Sequence, residues 1–110
     1  MRGRDRDGEE RKRGMRIYLS GPITGNEHFE EAFRASETFI KGKYPDAEVV
    51  NPARTARELP TLEREEYLKI DLAMLDACDS IFMMPGWEKS CGANREYGYA
   101  LAKGIQILKG

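Results

Sequence analysis

Cysteine and histidine are scarce in this sequence, which has two cysteines, Cys78 and Cys91, and one histidine, His28. Neither a disulfide framework nor a Cys/His zinc site can be assembled from those spacings, so no metal is expected. Thiols kept reduced point to a cytoplasmic location. Long apolar runs are lacking too, and none approaches the ~20 residues that a membrane helix needs. The N-terminus carries no apolar segment of the kind a secretory signal uses. Net charge is nearly absent, since 18 Lys/Arg stand against 19 Asp/Glu. Nothing in that balance asks for a nucleic-acid polymer as partner. The asymmetry that exists lies at the start, where residues 1–14 hold six Lys/Arg and four Asp/Glu, leaving twelve and fifteen for residues 15–110. Those first residues offer no apolar side chain after Met1. They cannot bury enough surface to offset the entropy of ordering, so a mobile charged tail is expected. Residues 15–110 suit one small domain with a single core.

What is present is an alternation of short apolar runs and helical patterns. Arg16-Ile17-Tyr18-Leu19-Ser20 reads as a first strand that runs into the turn Gly21-Pro22-Ile23-Thr24-Gly25. Asn26 is a plausible N-cap for a helix through about Lys41, with Phe29, Ala32, Phe33, Ser36, Phe39 and Ile40 on one stripe. Ala47 to Val50 forms a second strand, with Asn51-Pro52 at its carboxyl end. Residues 53–61 read as a loop with at most one helical turn. A helix follows from about Leu62 to Ala77, its apolar stripe carried by Leu68, Leu72 and Leu75, with Asp71 beside it. Ile81 to Met84 is a buried strand broken by Pro85-Gly86. The run Ser90 to Gly92 leads into a last helix to Lys103, and Ile105 to Leu108 closes the series as a strand.

Strands alternating with helices imply a parallel sheet built from βαβ units. The expected fold is α/β and flavodoxin-like, a three-layer sandwich with four or five parallel strands in the order 2-1-3-4(-5). In such a sheet the switch point falls between the first and third strands, and ligands bind beyond the carboxyl ends there. The turns Gly21–Gly25 and Pro85–Ala93 then border one crevice, which brings Tyr18, Ser90 and Glu96 together. Glu96 is a candidate catalytic carboxylate, although a glutamate near a helix start also serves as a dipole contact. Ser90 reads equally as the N-cap of the last helix, whose hydroxyl and free N–H groups can face an anion. Trp87 reads as a lid or a dimer contact. Tyr18 reads as strand filling or as a site residue.

Three stretches together resemble a known group. They are Ile17-Tyr18-Leu19-Ser20-Gly21-Pro22-Ile23-Thr24-Gly25, then Asp71-Leu72 with Ala77-Cys78-Asp79, then Ser90-x-Gly92-Ala93-x-x-Glu96-Tyr97-Gly98-Tyr99-Ala100. The set resembles the nucleoside 2-deoxyribosyltransferase superfamily, which includes the 2′-deoxynucleoside 5′-monophosphate N-glycosidases. The resemblance implies Glu96 as nucleophile, Asp71 as the acid that positions substrate or protonates the leaving base, and Tyr18 as the residue that orients the nucleophile. It implies that Ser90 contacts a 5′-phosphate, whereas Thr24 stands where the monophosphate hydrolases can carry an arginine. Substrate-binding candidates are Ser20, Gly21, Pro22, Ile23, Thr24, Gly25, Asn51, Trp87, Ser90 and Gly92. The implied activity is hydrolysis of the N-glycosidic bond of (deoxy)nucleoside 5′-monophosphates without a cofactor. Base exchange between deoxynucleosides and a non-catalytic nucleotide-binding module are the alternatives. A homodimer is expected.

Overall fold

A computed structural model describes residues 15–109. The tail expected over residues 1–14 lies outside the described residues. The described residues form four strands and four α-helices, in the order β1 (Arg16–Ser20), α1 (Phe29–Lys43), β2 (Glu48–Val50), α2 (Ala53–Glu58), α3 (Arg64–Asp76), β3 (Ser80–Met83), α4 (Cys91–Lys103) and β4 (Gln106–Lys109). A 3₁₀ turn, Trp87–Lys89, precedes α4. The strands form one parallel sheet in the order β2-β1-β3-β4. This is the expected flavodoxin-like arrangement, with four strands rather than five.

The pleat of β1 and β3 divides the core into two layers, because successive side chains point to opposite faces. Ile17, Leu19, Phe82 and Met84 face Phe33 and Ile40 of α1 and Ala53 of α2. Tyr18, Ile81 and Met83 face Leu75 of α3 and Ala93 and Ala100 of α4. From β1 the chain first steps outward to β2, then crosses back to β3 and β4. That reversal puts α1 on one face and α3 with α4 on the other. It also leaves an open corner where Ser20 and Met83, paired in register, end their strands side by side.

Local hydrogen bonds shift several boundaries from the sequence expectation. Asn26 does not cap α1. Its side-chain oxygen accepts from the His28 N–H at 3.1 Å, which closes a turn before the helix begins at Phe29. Glu63 and Glu66 form a reciprocal capping box that starts α3 at Arg64, two residues later than expected. Residues 53–58, read as a loop with at most one helical turn, form the short helix α2, where the Asn51 side chain accepts the Ala53 N–H at 2.9 Å. Among the described residues no helix is long and apolar enough to cross a membrane.

Candidate functional site

The open corner between β1 and β3 holds a cavity of about 260 Å³, walled by the β1–α1 turn, α2, α3 and the first turns of α4. Glu96 and Asp71 both line it, and both are buried, with 5% and 9% of their surface exposed. A buried carboxylate is costly unless hydrogen-bonded. Glu96 meets that condition at both oxygens. Ser20 Oγ donates to Oε1 at 2.6 Å, and Tyr18 Oη donates to Oε2 at 2.8 Å.

Each donor is placed by the sheet. Tyr18 and Ser20 are two residues apart on β1, so their side chains leave the same face, toward α4. Glu96 reaches them from the second turn of α4, whose start is set by Ser90. The Ser90 hydroxyl accepts the Ala93 N–H at 3.1 Å, an N-cap, and Ser90 also lines the cavity. Tyr18 is fully buried, and burial first, then the negative charge of Glu96, push its pKa well above the ordinary value. It therefore stays a neutral donor.

The two carboxylates differ in their partners. Burial pushes Glu96 up to about 7, against the pull of the Ser20 and Tyr18 hydrogen bonds, which favour its charged form. Burial also pushes Asp71 up to about 7, and the charge on Glu96 adds to that rise. Asp71 Oδ1 is buried without a hydrogen-bond partner. One proton shared over such a pair rests more favourably on Asp71, because Glu96 already has two donors serving its anion. The arrangement combines a held carboxylate with a neutral acid in one cavity. Among the described residues no group of three or more His, Cys, Asp or Glu gathers where it could hold a metal ion.

Compared with known families, residues 15–109 match the one described as a domain of unknown function, DUF4406. The chain belongs to that family. No curated protein matches it.

Of the site candidates read from sequence, this DUF4406 domain brings Gly21, Ile23, Thr24, Asp71, Ser90, Gly92 and Glu96 to the cavity wall. Ser20 and Tyr18 sit behind the wall, gripping Glu96. Four other candidates lie elsewhere. The Asn51 amide is spent on Glu37 and the Ala53 N–H, on the side of the groove between α1 and α2. Trp87 lies against the Tyr97 ring, 4.8 Å between centroids, with the Lys109 ammonium 5.8 Å from the Trp87 ring. Pro22 and Gly25 belong to the turn itself. The Pro22 carbonyl accepts from Asn26, and Gly25 takes a positive φ of 78° that lets the turn close.

Sequence reading passed over Arg64, Tyr67, Lys89 and Arg95, all of which line the cavity. A signal existed for two of them. Arg64, Tyr67, Leu68 and Asp71 follow one helical face at spacings of three, four and seven, so any helix that aims Asp71 at the site aims the others too. Tyr67 is further fixed by its hydroxyl, which donates to the Leu59 carbonyl. Lys89 and Arg95 have no comparable periodic signal.

Proposed function

We propose that this domain hydrolyses the N-glycosidic bond of (deoxy)nucleoside 5′-monophosphates, with Glu96 as nucleophile and Asp71 as acid. The observation that carries this reading is the double hold on Glu96. Hydroxyl donors at both oxygens favour the charged form of a buried carboxylate and orient it, in a cavity whose other acid is raised and has a buried oxygen without a partner. In the first step a Glu96 oxygen bonds to the anomeric carbon as the C–N bond breaks. The bond's electron pair leaves with the base, and the Asp71 proton goes to the departing ring. In the second step water attacks the same carbon and gives its proton to Asp71. The ester bond breaks and returns the Glu96 carboxylate. Two displacements on one carbon retain configuration.

Likeness of the Ser90–Ala100 run to the monophosphate N-glycosidases supports the choice of bond and leaving group. The reading carries with it a cytoplasmic homodimer, whose mass light scattering of the full chain would measure. The deciding experiment incubates ribo- and deoxynucleoside 5′-monophosphates with the native chain and with Glu96→Ala, and separates the products by chromatography. Free base in the first and none in the second is the expected result. Release that survives Glu96→Ala overturns the nucleophile assignment. A new nucleoside formed from an added free base establishes exchange instead of hydrolysis. Intact nucleotide that stays tightly bound establishes a binding module.

A further inference from the structure

We propose that Arg64 and Lys89 read the anionic group of the ligand at the mouth of the cavity, so that the site selects a nucleoside phosphomonoester over the neutral nucleoside. This deepens the glycosidase reading and rests on it for the identity of the nucleoside part. Three cations line the cavity: Arg64 at the first residue of α3, Lys89 at the end of the 3₁₀ turn, and Arg95 on α4. Arg95 is already committed, since its two terminal nitrogens donate to the Glu65 carboxylate at 2.6 and 3.2 Å. Arg64 and Lys89 are exposed, and among the described residues neither has a carboxylate at ion-pair distance.

The acids of the same cavity are Asp71 and Glu96, and both are buried. Charge is therefore graded through the site, with carboxyl groups inside and uncommitted cations at the rim. The buried end makes its own demand. Asp71 lines the cavity with 9% of its surface exposed, and its buried Oδ1 has no hydrogen-bond partner, so an occupant that brings a polar hydrogen to this carboxyl group is favoured there. A ligand that satisfies both ends carries N–H or O–H groups at one end and an anion at the other. A phosphomonoester holds a charge of about −1.5 to −2 at neutral pH, which two cations match. A neutral nucleoside leaves Arg64 and Lys89 facing water alone. Inorganic phosphate supplies the anion without the sugar and base that would carry donors to the buried end.

The test uses the full chain carrying Glu96→Gln, which removes turnover, and titration calorimetry with paired probes. These are the deoxynucleoside 5′-monophosphates of cytosine, uracil, adenine and guanine, the matching deoxynucleosides, and inorganic phosphate. A monophosphate is expected to bind at least roughly tenfold tighter than its nucleoside, the scale of one or two charge-assisted contacts. Adding Arg64→Ala and Lys89→Ala is expected to erase that preference and leave nucleoside affinity unchanged. The Gln pair, Arg64→Gln with Lys89→Gln, serves if the alanine pair melts early. Raised salt is expected to weaken nucleotide binding and spare nucleoside binding.

Equal affinity for nucleotide and nucleoside, a preference that survives the double substitution, or binding of no monophosphate overturns the proposal. So does inorganic phosphate bound as tightly as any nucleotide. The two readings fail separately. Nucleotide preference with no base released by the native chain removes the glycosidase and leaves this selection standing. Base released equally fast from nucleoside and nucleotide does the reverse.

Discussion

At the residue scale, Glu96 sits under two opposing forces. Burial raises its pKa while the Ser20 and Tyr18 hydroxyls lower it, and the outcome is about 7. The proposed chemistry needs Glu96 charged and Asp71 protonated, so activity falls at low pH as Glu96 gains a proton and at high pH as Asp71 loses one. The rate profile of base release is expected to be a bell centred near neutral pH. Ser20→Ala removes one donor that favours the charged form, so the acid limb moves to higher pH while the alkaline limb stays. A limb that does not move would show that the Ser20 contact plays no part in tuning Glu96. Asp71→Asn is expected to lose the alkaline limb and most of the rate. Glu96→Ala lowers kcat/KM by roughly 10⁴-fold or more, the scale seen when a covalent nucleophile is removed. These assays are chromatographic and need only a substrate that the native chain turns over. Glu96 was visible from sequence as a candidate catalytic carboxylate because a strand, a glycine-containing turn and a helix place it at a sheet end, while the nucleophile role was implied only by the family resemblance. Its second donor was not, because Ser20 was read as a substrate contact, although its spacing of two from Tyr18 puts both side chains on one face of β1.

At the element scale, two helices aim the site and their ends determine how well. The start of α4 depends on the Ser90 hydroxyl, which accepts the Ala93 N–H at 3.1 Å. Ser90→Ala is expected to cost about 1 kcal/mol through the lost cap, lowering the melting temperature by roughly 4–8 °C for a domain of this size. If Ser90 also touches substrate, Ser90→Thr restores the melting temperature as a cap but raises KM, since the added methyl crowds that contact. Full recovery of both would confine Ser90 to the cap. At its other end α4 closes on Gly104 in the left-handed conformation, φ 74°. Gly104→Ala is expected to destabilise the domain by about 1 kcal/mol, the cost of a β-carbon at positive φ, with catalysis unchanged, because this end lies far from the sheet corner. α3 was legible as an amphipathic helix. Its buried line is Leu68, Asp71 and Leu75, so the carboxylate replaces an apolar residue in the middle of the stripe. A polar residue at such a position is a signal in itself, and following its face would also have found Arg64 and Tyr67.

At the scale of the whole molecule, the two buried carboxyl groups tie stability to pH. Both have folded-state values near 7, above their ordinary values of 4.5 for Glu96 and 3.8 for Asp71. Between those limits the folded chain holds more protons than the unfolded chain, so stability falls as pH rises through that range. The melting temperature is expected to be higher at pH 5 than at pH 8. Asp71→Asn or Glu96→Gln is expected to flatten the difference. A native chain that melts higher at pH 8 would mean that neither group is raised. The sheet order followed from the sequence because alternating strand and helix patterns, joined by short connections, leave few parallel arrangements open. The same order places the crevice between the first and third strands, where the direction of the crossovers reverses. Side-chain destinations were another matter. Asn51 and Trp87 stand at the right ends of their strands, yet one is drawn to Glu37 and the other to Tyr97. Chain order and periodicity thus determined the architecture and the placing of one candidate carboxylate, Glu96, at the sheet end, since both depend on contacts between neighbours in sequence and on the handedness of connections. Only the tertiary structure decided that Ser20 joins Tyr18 in gripping Glu96, which buried acid is left unpartnered and which cations stay uncommitted. Those depend on distances between groups far apart in the chain, which no local pattern encodes.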